Sequence, residues 1–566
     1  MIDAYLHKSG KAMLTFRADK EITGTLQRLP GVSFSKRDGA WLVPIRLIPW
    51  VLEPEFPEIY ISKGLQEEYQ KVKIEYDAMQ EIRNGEVSLD IDFPFPIPPY
   101  AAQKIGIALL LLNKRYALFD QQGGGKSMSS LVAAWSCLKH GECERVLIIS
   151  QAFAKIAWDE EIKKWLPEGT EYEILGPGEM ANPRRYKIHV INYDNIYSKR
   201  ADPKKDPMSK QWIRELAKRQ IVIMDAAHRL KNHKAKRSIA AREIAEGAAR
   251  VWFLTGTPVP GGADSVWHCL HILDPEIAGS KTDFTRKFSW LDGEYFSVKG
   301  SKNMEVLNRA MQTVSIRRTM EEFVDLPGKV RQDVEVELTQ EQAKIYVEMA
   351  DMMRATLTRM DQRDIIVKAK SVLSQLLRLI QIAGHPGLIG PWEAKTTGKL
   401  TYLEDTIEEI IGSEKVIIWT NFIAMNDLLM ERFKRHNPVQ IYGGTSYEDR
   451  KRAVDEFRNN DQRRIMVANA GAGGEGITLI SASRAIYHDR TFSFPDFEES
   501  QRRIYRPGQD KRVIIQVLRA RLPNGLPTID HYIDQILLRK EQESESIVGD
   551  ADVLNRGNLI NMLRTS

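Results

Sequence analysis

Phe119-Asp120-Gln121-Gln122-Gly123-Gly124-Gly125-Lys126-Ser127 follows the apolar run Tyr116-Ala117-Leu118 and precedes a stretch carrying Leu131, Val132, Ala133 and Trp135. The spacing predicts the end of a buried strand, a glycine-rich turn and a helix, with Lys-Ser closing the turn. That is the form of a phosphate-binding loop. Glycines let backbone N–H groups converge on phosphate oxygens, and the helix N-terminus favours the anion. Lys126 would reach the β/γ-phosphates, and the Ser127 hydroxyl would ligate Mg²⁺. The strict pattern has a further glycine where Asp120 stands, so these residues alone also read as a connector that binds nothing.

Working outward, short apolar runs alternate with helical stretches. Val146–Ile149, His189–Ile191, Ile221–Met224 and Val251–Leu254 are β-rich and bounded by polar residues. Strands alternating with helices predict a parallel sheet covered on both faces, with ligands at the carboxyl ends of the strands. From about 281 to 395 the alternation stops, and Gln340 to Ile382 reads as nearly continuous helix. A second alternating block follows at Lys415–Trp419, Val439–Tyr442, Arg464–Val467, Arg484–Tyr487 and Val513–Val517, without a Gly-Lys-Ser loop of its own. The fold class is therefore α/β: two parallel-sheet lobes, a helical insertion and a small N-terminal α+β module. The expected divisions are a module over 1–62, a linker helix and Pro-rich extended link over 63–94, a first lobe over 95–280, the insertion over 281–395, a second lobe over 396–545 and a tail over 546–566.

Composition limits the alternatives. At 566 residues the chain exceeds one core, and its 43% hydrophobic and 28% charged residues are ordinary for a globular protein. The net charge of +5 permits nucleic-acid binding without requiring it. Three cysteines, Cys137, Cys143 and Cys269, suit neither a disulfide framework nor a zinc cluster and read as small buried hydrophobes of a reducing cytosol. Met1-Ile2-Asp3 opens no signal peptide, and Ile105–Leu112 is too short to span a bilayer, so no membrane partner is expected.

The N-terminal residues are locally basic, with eight Lys and Arg against four Asp and Glu in the first fifty. Met13–Phe16 is strand-like, Ile22, Leu26 and Leu29 have helical spacing, and Asp38-Gly39 signals a hairpin turn. Arg37 and Trp41 at that hairpin suit phosphate contact and base stacking. Trp41 belonging to the module's core is the other reading.

Chemistry-bearing residues recur at strand ends. Ile221-Val222-Ile223-Met224-Asp225 places a carboxylate where it can hold Mg²⁺ opposite the phosphate loop. The next position, where a phosphate-cleaving site needs a Glu to orient water, is Ala226, followed by Ala227 and His228. Thr255 and Thr257, in Leu254-Thr255-Gly256-Thr257-Pro258, are placed to relay nucleotide state. In the second block Gly471 to Leu479 forms a strand-to-helix loop, and Arg503 and Arg506 are spaced one turn apart on a predicted helix face. Two arginines aimed at a γ-phosphate would be worth roughly 10³–10⁵ in rate; a basic surface helix is the alternative.

The order of these pieces resembles a helicase superfamily two ATPase of the Swi/Snf branch, over roughly residues 95 to 545. The resemblance rests on Gln103, Gly123–Ser127, Trp158-Asp159-Glu160, Lys164-Trp165 and Asp225-Ala226-Ala227-His228-Arg229-Leu230-Lys231-Asn232. It continues through Leu254–Pro258, Arg317-Arg318, Leu326-Pro327, His385-Pro386, Thr397-Gly398-Lys399-Leu400, Gly473–Leu479 and Arg503–Gln509. It implies two RecA-like lobes that close on ATP and walk along one strand of duplex DNA. Carried over, Tyr100, Gln103, Gly123, Gly124, Gly125, Lys126 and Ser127 bind ATP, with Gly474 and Gly476 in the second lobe. Ser127 and Asp225 hold Mg²⁺; Thr255, Thr257 and Gln509 couple the lobes; Arg503 and Arg506 complete the site. Lys155, Tyr193, Lys231, Asn421 and Thr478 are the implied DNA contacts.

Three motifs depart from the family pattern: Gln151-Ala152 replaces Pro-Ser, Glu499 replaces Gln, and Ala226 replaces the catalytic Glu. Ala226 reads as a trapping substitution in an otherwise intact ATPase, or as the mark of a naturally inactive lineage. The first 62 residues resemble the HARP-type domain of annealing helicases, which implies branched or fork DNA as substrate and fork reversal, annealing or branch migration as outcome. The rival functions are an ATP-gated DNA clamp without turnover and a remodeller of protein–DNA complexes. The expected compartment is the cytoplasm of a bacterium or of a viral host, or the nucleus in a eukaryote.

Overall fold

The computed structural model describes residues 2–56, 58–86, 98–121, 123–151, 154–176, 178–198, 209–256, 263–291, 298–318, 323, 326–360, 368–394, 396–470 and 477–544. They form two compact units, Met1–Phe323 and Val324–Glu545.

The first unit is built on a seven-stranded sheet. Its strands are β6 (Arg115–Leu118), β7 (Val146–Ser150), β8 (Tyr172–Ile174), β9 (Ile188–Asn192), β10 (Ile221–Asp225), β11 (Arg250–Leu254) and β14 (Ser315–Ile316), in the order β14-β6-β11-β10-β7-β9-β8. Every pairing is parallel. Val146–Ile149, Ile221–Met224 and Val251–Leu254 are fully buried, which is why they read as unbroken apolar runs rather than alternating ones. A two-stranded hairpin, β12 (Ser289–Leu291) with β13 (Val298–Ser301), lies between β11 and β14 in the chain.

An N-terminal five-stranded sheet belongs to the same unit. Its order is β3 (Ser33–Ser35), β4 (Ala40–Val43), β2 (Ala12–Phe16), β1 (Ile2–Leu6), β5 (Ile59–Ile61). The helix Lys20–Arg28 is capped by Asp19, whose carboxylate accepts from the N–H groups of Glu21 and Ile22. The sheet does not stand apart from the rest. Lys287, buried, donates to the carbonyls of Leu29 and Val32 at 2.9 and 2.6 Å. Gly31, at φ +67°, lies so close to the backbone of Glu276 that a Cβ there would be 2.1 Å from its carbonyl oxygen. The helix Lys63–Arg83, read as a linker, packs on β1 and on the helix Ala101–Leu112.

The second unit carries a six-stranded parallel sheet ordered β15 (Lys329–Glu337), β20 (Val513–Arg521), β19 (Arg484–Tyr487), β16 (Val416–Thr420), β18 (Ile465–Asn469), β17 (Val439–Ile441). The two sheets with their covering helices are the RecA-like lobes of the sequence reading. The stretch read as a helical insertion is shared between units: β14 completes the first sheet and β15 opens the second. β15 escaped the sequence reading because Lys329–Glu337 sits on the sheet edge, mostly solvent-facing, and alternates charge with valine instead of showing an apolar run. The helices Gln340–Thr358 and Ala369–Gly384 stand where continuous helix was expected. The Pro-rich link at 90–97 and the tail at 546–566 lie outside the described residues.

Candidate nucleotide site and nucleic-acid contacts

β6 delivers the chain into the glycine-rich turn, and the helix Lys126–Lys139 begins at Lys126. Gly125 caps that helix at φ +77°, and a Cβ on it would be 2.2 Å from Gln103 Nε2, so both backbone and neighbour exclude a side chain. Gln103, buried beneath the turn, accepts from the Tyr100 N–H at 2.9 Å, while the Tyr100 ring is exposed. Lys126 Nζ donates to the carbonyls of Asp120 and Gln121 at 2.7 and 3.1 Å. Gly123 and Ser127 are half-buried, and Gly124 N–H closes the turn onto Gln121 O at 3.1 Å.

Asp120 explains the missing glycine. It is 1% exposed and pairs with Arg318, Nε to Oδ1 at 2.8 Å and Nη2 to Oδ2 at 2.5 Å. Arg318 fits because Gly106 leaves it room, and its guanidinium lies 4.9 Å from the Phe323 ring centre. Phe323 in turn sits against Gly124, where a Cβ would be 3.0 Å from the ring. Carboxylate and guanidinium thus brace the turn from below. No local signal announces this pair, since Arg318 stands 198 residues further along the chain.

Asp225 ends β10. Its Oδ2 accepts from the Trp158 indole N–H at 3.0 Å, its Oδ1 accepts from the Ala226 N–H at 2.8 Å, and its carbonyl accepts from the Tyr193 hydroxyl at 2.7 Å. Burial pushes its carboxyl above the usual carboxylate range; the Trp158 hydrogen bond and the nearby Lys126 charge oppose that. Ala226 adopts a left-handed conformation at φ +53°, ψ +44°, an uncommon state for a residue with a Cβ and one that clusters at functional sites. His228 Nδ1 lies 2.9 Å from the Thr255 hydroxyl, joining the loop after β10 to the loop after β11. Burial drives the His228 imidazole down to about 3, so the ring is neutral in this contact. Thr257 lies outside the described residues.

The Ser127 hydroxyl, in the first turn of the helix after β6, and the Asp225 carboxylate, at the end of β10, are hard oxygen donors at the carboxyl ends of two strands with β11 between them, a set that suits Mg²⁺ completed by phosphate and water. Among the described residues no group of three or more His, Cys, Asp or Glu could form an all-protein metal cage. Cys137, Cys143 and Cys269 are buried free thiols.

In the second unit Arg503 and Arg506 are not on a helix face. The helix Phe494–Gln501 ends before them, and both lie in the turns that follow. Arg503 donates to Glu499 Oε1 at 2.9 Å, and both arginines reach the Ile477 carbonyl, at 3.3 and 3.4 Å. Gln509 holds this turn from inside, donating to the carbonyls of Ile480, Ala482 and Ile504. Gly474 and Gly476 lie outside the described residues.

The expected DNA contacts separate. Lys231 and Arg37 are exposed, and Thr478 is half-buried with its carbonyl accepting from Arg458. Tyr193 is 3% exposed with its hydroxyl committed to Asp225, so it is a buried support and not a surface contact. Lys155 donates to Leu175 O at 2.8 Å and is partly desolvated, which lowers its ammonium from the usual range. Asn421 is bound through N–H and side chain to Asp489. Trp41 is half-buried, packs against the hydrophobic core of its unit and lies edge-on to the exposed Phe34 at 5.2 Å.

A family model described as "SNF2-related domain" matches residues 103–388, just over half the chain, and one described as "Helicase conserved C-terminal domain" matches 398–508. The chain belongs to the SNF2-related family. It carries a helicase-type ATPase domain of the Swi/Snf branch. This SNF2-related chain is 25% identical over 472 residues to the human protein named DNA annealing helicase and endonuclease ZRANB3, covering 78% of this chain and 40% of that protein. It is 24% identical over 480 residues to the DNA repair and recombination protein RAD54-like of Drosophila ananassae, covering 76% and 59%. It therefore spans less than two thirds of the length of each of these relatives. The Sulfolobus solfataricus SWI2/SNF2 ATPase core in complex with dsDNA aligns over 85% of this chain and 100% of its own, at 24% identity and a TM-score of 0.38.

Proposed function

We propose that this SNF2-related chain is an ATP-dependent double-stranded DNA translocase that remodels branched DNA, slowed at the hydrolytic step by Ala226. The observation that carries it is that one parallel sheet brings the glycine turn with Lys126, after β6, and the Asp225 carboxylate, at the end of β10, to the same edge, that of the strands' carboxyl ends. In this reading Tyr100 and Gln103 take the base, Gly123–Gly125 and Lys126 the phosphates, and Ser127 with Asp225 the Mg²⁺. Bound Mg²⁺ would neutralise phosphate charge. The hydrogen bonds from Trp158 and Ala226 hold the Asp225 carboxylate in place, and His228 with Thr255 links it to the neighbouring loop. Arg503 and Arg506 are assigned to the γ-phosphate, Gln509 to support of their turn, and Gly474, Gly476 and Thr257 keep the roles the family resemblance implies. Lys231, Thr478 and Arg37 remain assigned to DNA phosphates, which makes affinity steeply salt-dependent. The branched-DNA role is supported by the likeness of residues 1–62 to HARP-type domains and by the printed name of the human relative.

Ala226 also favours a second reading, an ATP-gated DNA clamp that never turns over. One substitution separates the two. Ala226→Glu is expected to raise duplex-stimulated ATP hydrolysis by about 10²–10⁴-fold, the range for supplying a missing general base, while Lys126→Ala abolishes nucleotide binding. An unchanged rate in Ala226→Glu leaves the clamp.

A further inference from the structure

The glycines of the turn before Lys126 are required for different reasons. Gly123 and Gly125 hold φ of +91° and +77°, a region that a Cβ disfavours. Gly124, between them, lies outside that region, so its own backbone admits a side chain. Phe323 is what excludes one. A Cβ on Gly124 would be 3.0 and 3.1 Å from Cζ and Cε2 of the ring, and 3.2 Å from Gln121 O. The ring has little room to give way, being 7% exposed with the Arg318 guanidinium 4.9 Å from its centre. Arg318 is itself held by both carboxylate oxygens of Asp120 and by the Ala102 carbonyl. Space for that guanidinium comes from Gly106, inside the helix Ala101–Leu112, where a Cβ would be 2.8 Å from Nη2. Glycine inside a helix is unfavourable relative to alanine, so this one marks a packing requirement.

We propose that Phe323 is a positioning residue of the nucleotide site: its ring is the surface on which Gly124 rests, and it holds the turn in the shape that presents backbone N–H groups to phosphate. A turn of this kind works only when its N–H groups converge, and glycines carry no side chains to fix them. The support therefore comes from outside the loop. Asp120 and Arg318 brace the strand end, the helix fixes Lys126, and Phe323 covers the stretch between them. The inference rests on the reading of Gly123–Ser127 as a phosphate loop and adds to it a residue that touches the loop and not the nucleotide.

The test is the dissociation constant of a fluorescent, non-hydrolysable ATP analogue, mant-AMPPNP with Mg²⁺, for the full chain and its variants. Phe323→Ala and Gly124→Ala are each expected to weaken binding by about 10-fold, a size common for coupling between residues in contact. The double variant is expected to bind no worse than Phe323→Ala, because the new methyl then enters the space the ring has left. Independent effects would multiply to about 100-fold, and that result overturns the proposal. Phe323→Leu keeps an apolar side chain over the turn and is expected to bind within about threefold of the parent; a leucine variant as weak as the alanine one overturns the proposal too. So does parent-like binding by Phe323→Ala. A lower unfolding midpoint in Phe323→Ala leaves the comparison valid, since the single and double variants lack the same ring. A parent that binds no analogue sinks the phosphate-loop reading and this proposal together, whereas a binding parent with independent variant effects sinks the proposal alone.

Discussion

Asp120 and His228 show how far a side chain's role depends on partners remote in sequence. Lys126, Ser127 and Asp225 were legible because their chemistry follows from neighbours: a glycine run before, a buried strand before, a helix after. Asp120 was legible only as an irregularity, since its meaning is Arg318, brought to it by β14 pairing with β6. His228 was legible by position alone, and its burial was not. That burial gives a pH signature. The neutral imidazole is favoured in the fold, with its proton affinity lowered to about 3, while in the unfolded chain it titrates at the ordinary value near 6.5. Below 6.5 the unfolded chain binds the extra proton and the fold does not, so stability is full above that pH and falls as pH drops toward 3. One such group contributes a loss of about 2 kcal/mol by pH 5. His228→Asn is expected to flatten the denaturant-midpoint profile of the first unit between pH 6.5 and 5; a slope identical to the parent's would assign the acid sensitivity elsewhere.

At the scale of elements, the unbroken strands were read correctly because burial on both faces leaves a continuous apolar signature. The elements missed were those whose stabilisation is not apolar. β15 is held by pairing along β20 and by charges: Arg331 from β15, Arg519 from β20 and Arg490 after β19 all converge on Asp534 of the helix Ile529–Ser544. Arg490 and Asp534 are both buried, with Nη1 to Oδ1 at 2.6 Å, and the Arg490 guanidinium lies 5.3 Å from the Phe497 ring centre. The same cluster therefore fixes the helix Phe494–Gln501 that leads into the Arg503–Arg506 turn. Sequence spacing put those arginines on one helix face because Arg503 and Arg506 stand three residues apart; the chain instead leaves the helix at Gln501 and ties both arginines to Ile477 O. Asp534→Asn keeps the shape and removes the charge, leaving buried guanidinium uncompensated. The expected cost is about 3–5 kcal/mol in the second unit, read as a lowered midpoint of its unfolding transition with the first unit's midpoint unmoved.

On the scale of the molecule, the sequence suggested a separate small α+β module over residues 1–62, joined to an ATPase by a charged connecting helix and a Pro-rich link. The contacts instead make residues 2–61 one body with the first lobe's strands and helices. Composition cannot report such docking: the joint uses backbone carbonyls of Leu29 and Val32, a lysine whose charge is met by Asp283, and glycines at 31 and 279 whose value is the absence of a side chain. A module mounted this way moves with the lobe that holds Lys126, and not on a flexible tether. Gly31→Ala is the sharpest probe of the joint. The new methyl would be 2.1 Å from Glu276 O and 2.9 Å from Ile277 O, both main-chain atoms, at a φ of +67° that disfavours a Cβ by itself. If the docking is integral, the substitution lowers the stability of the first unit by at least about 2 kcal/mol, and amide-exchange protection falls together in residues 12–16 and in 275–288. A tethered module would lose protection in 12–16 alone and leave the 275–288 amides as slow as in the parent.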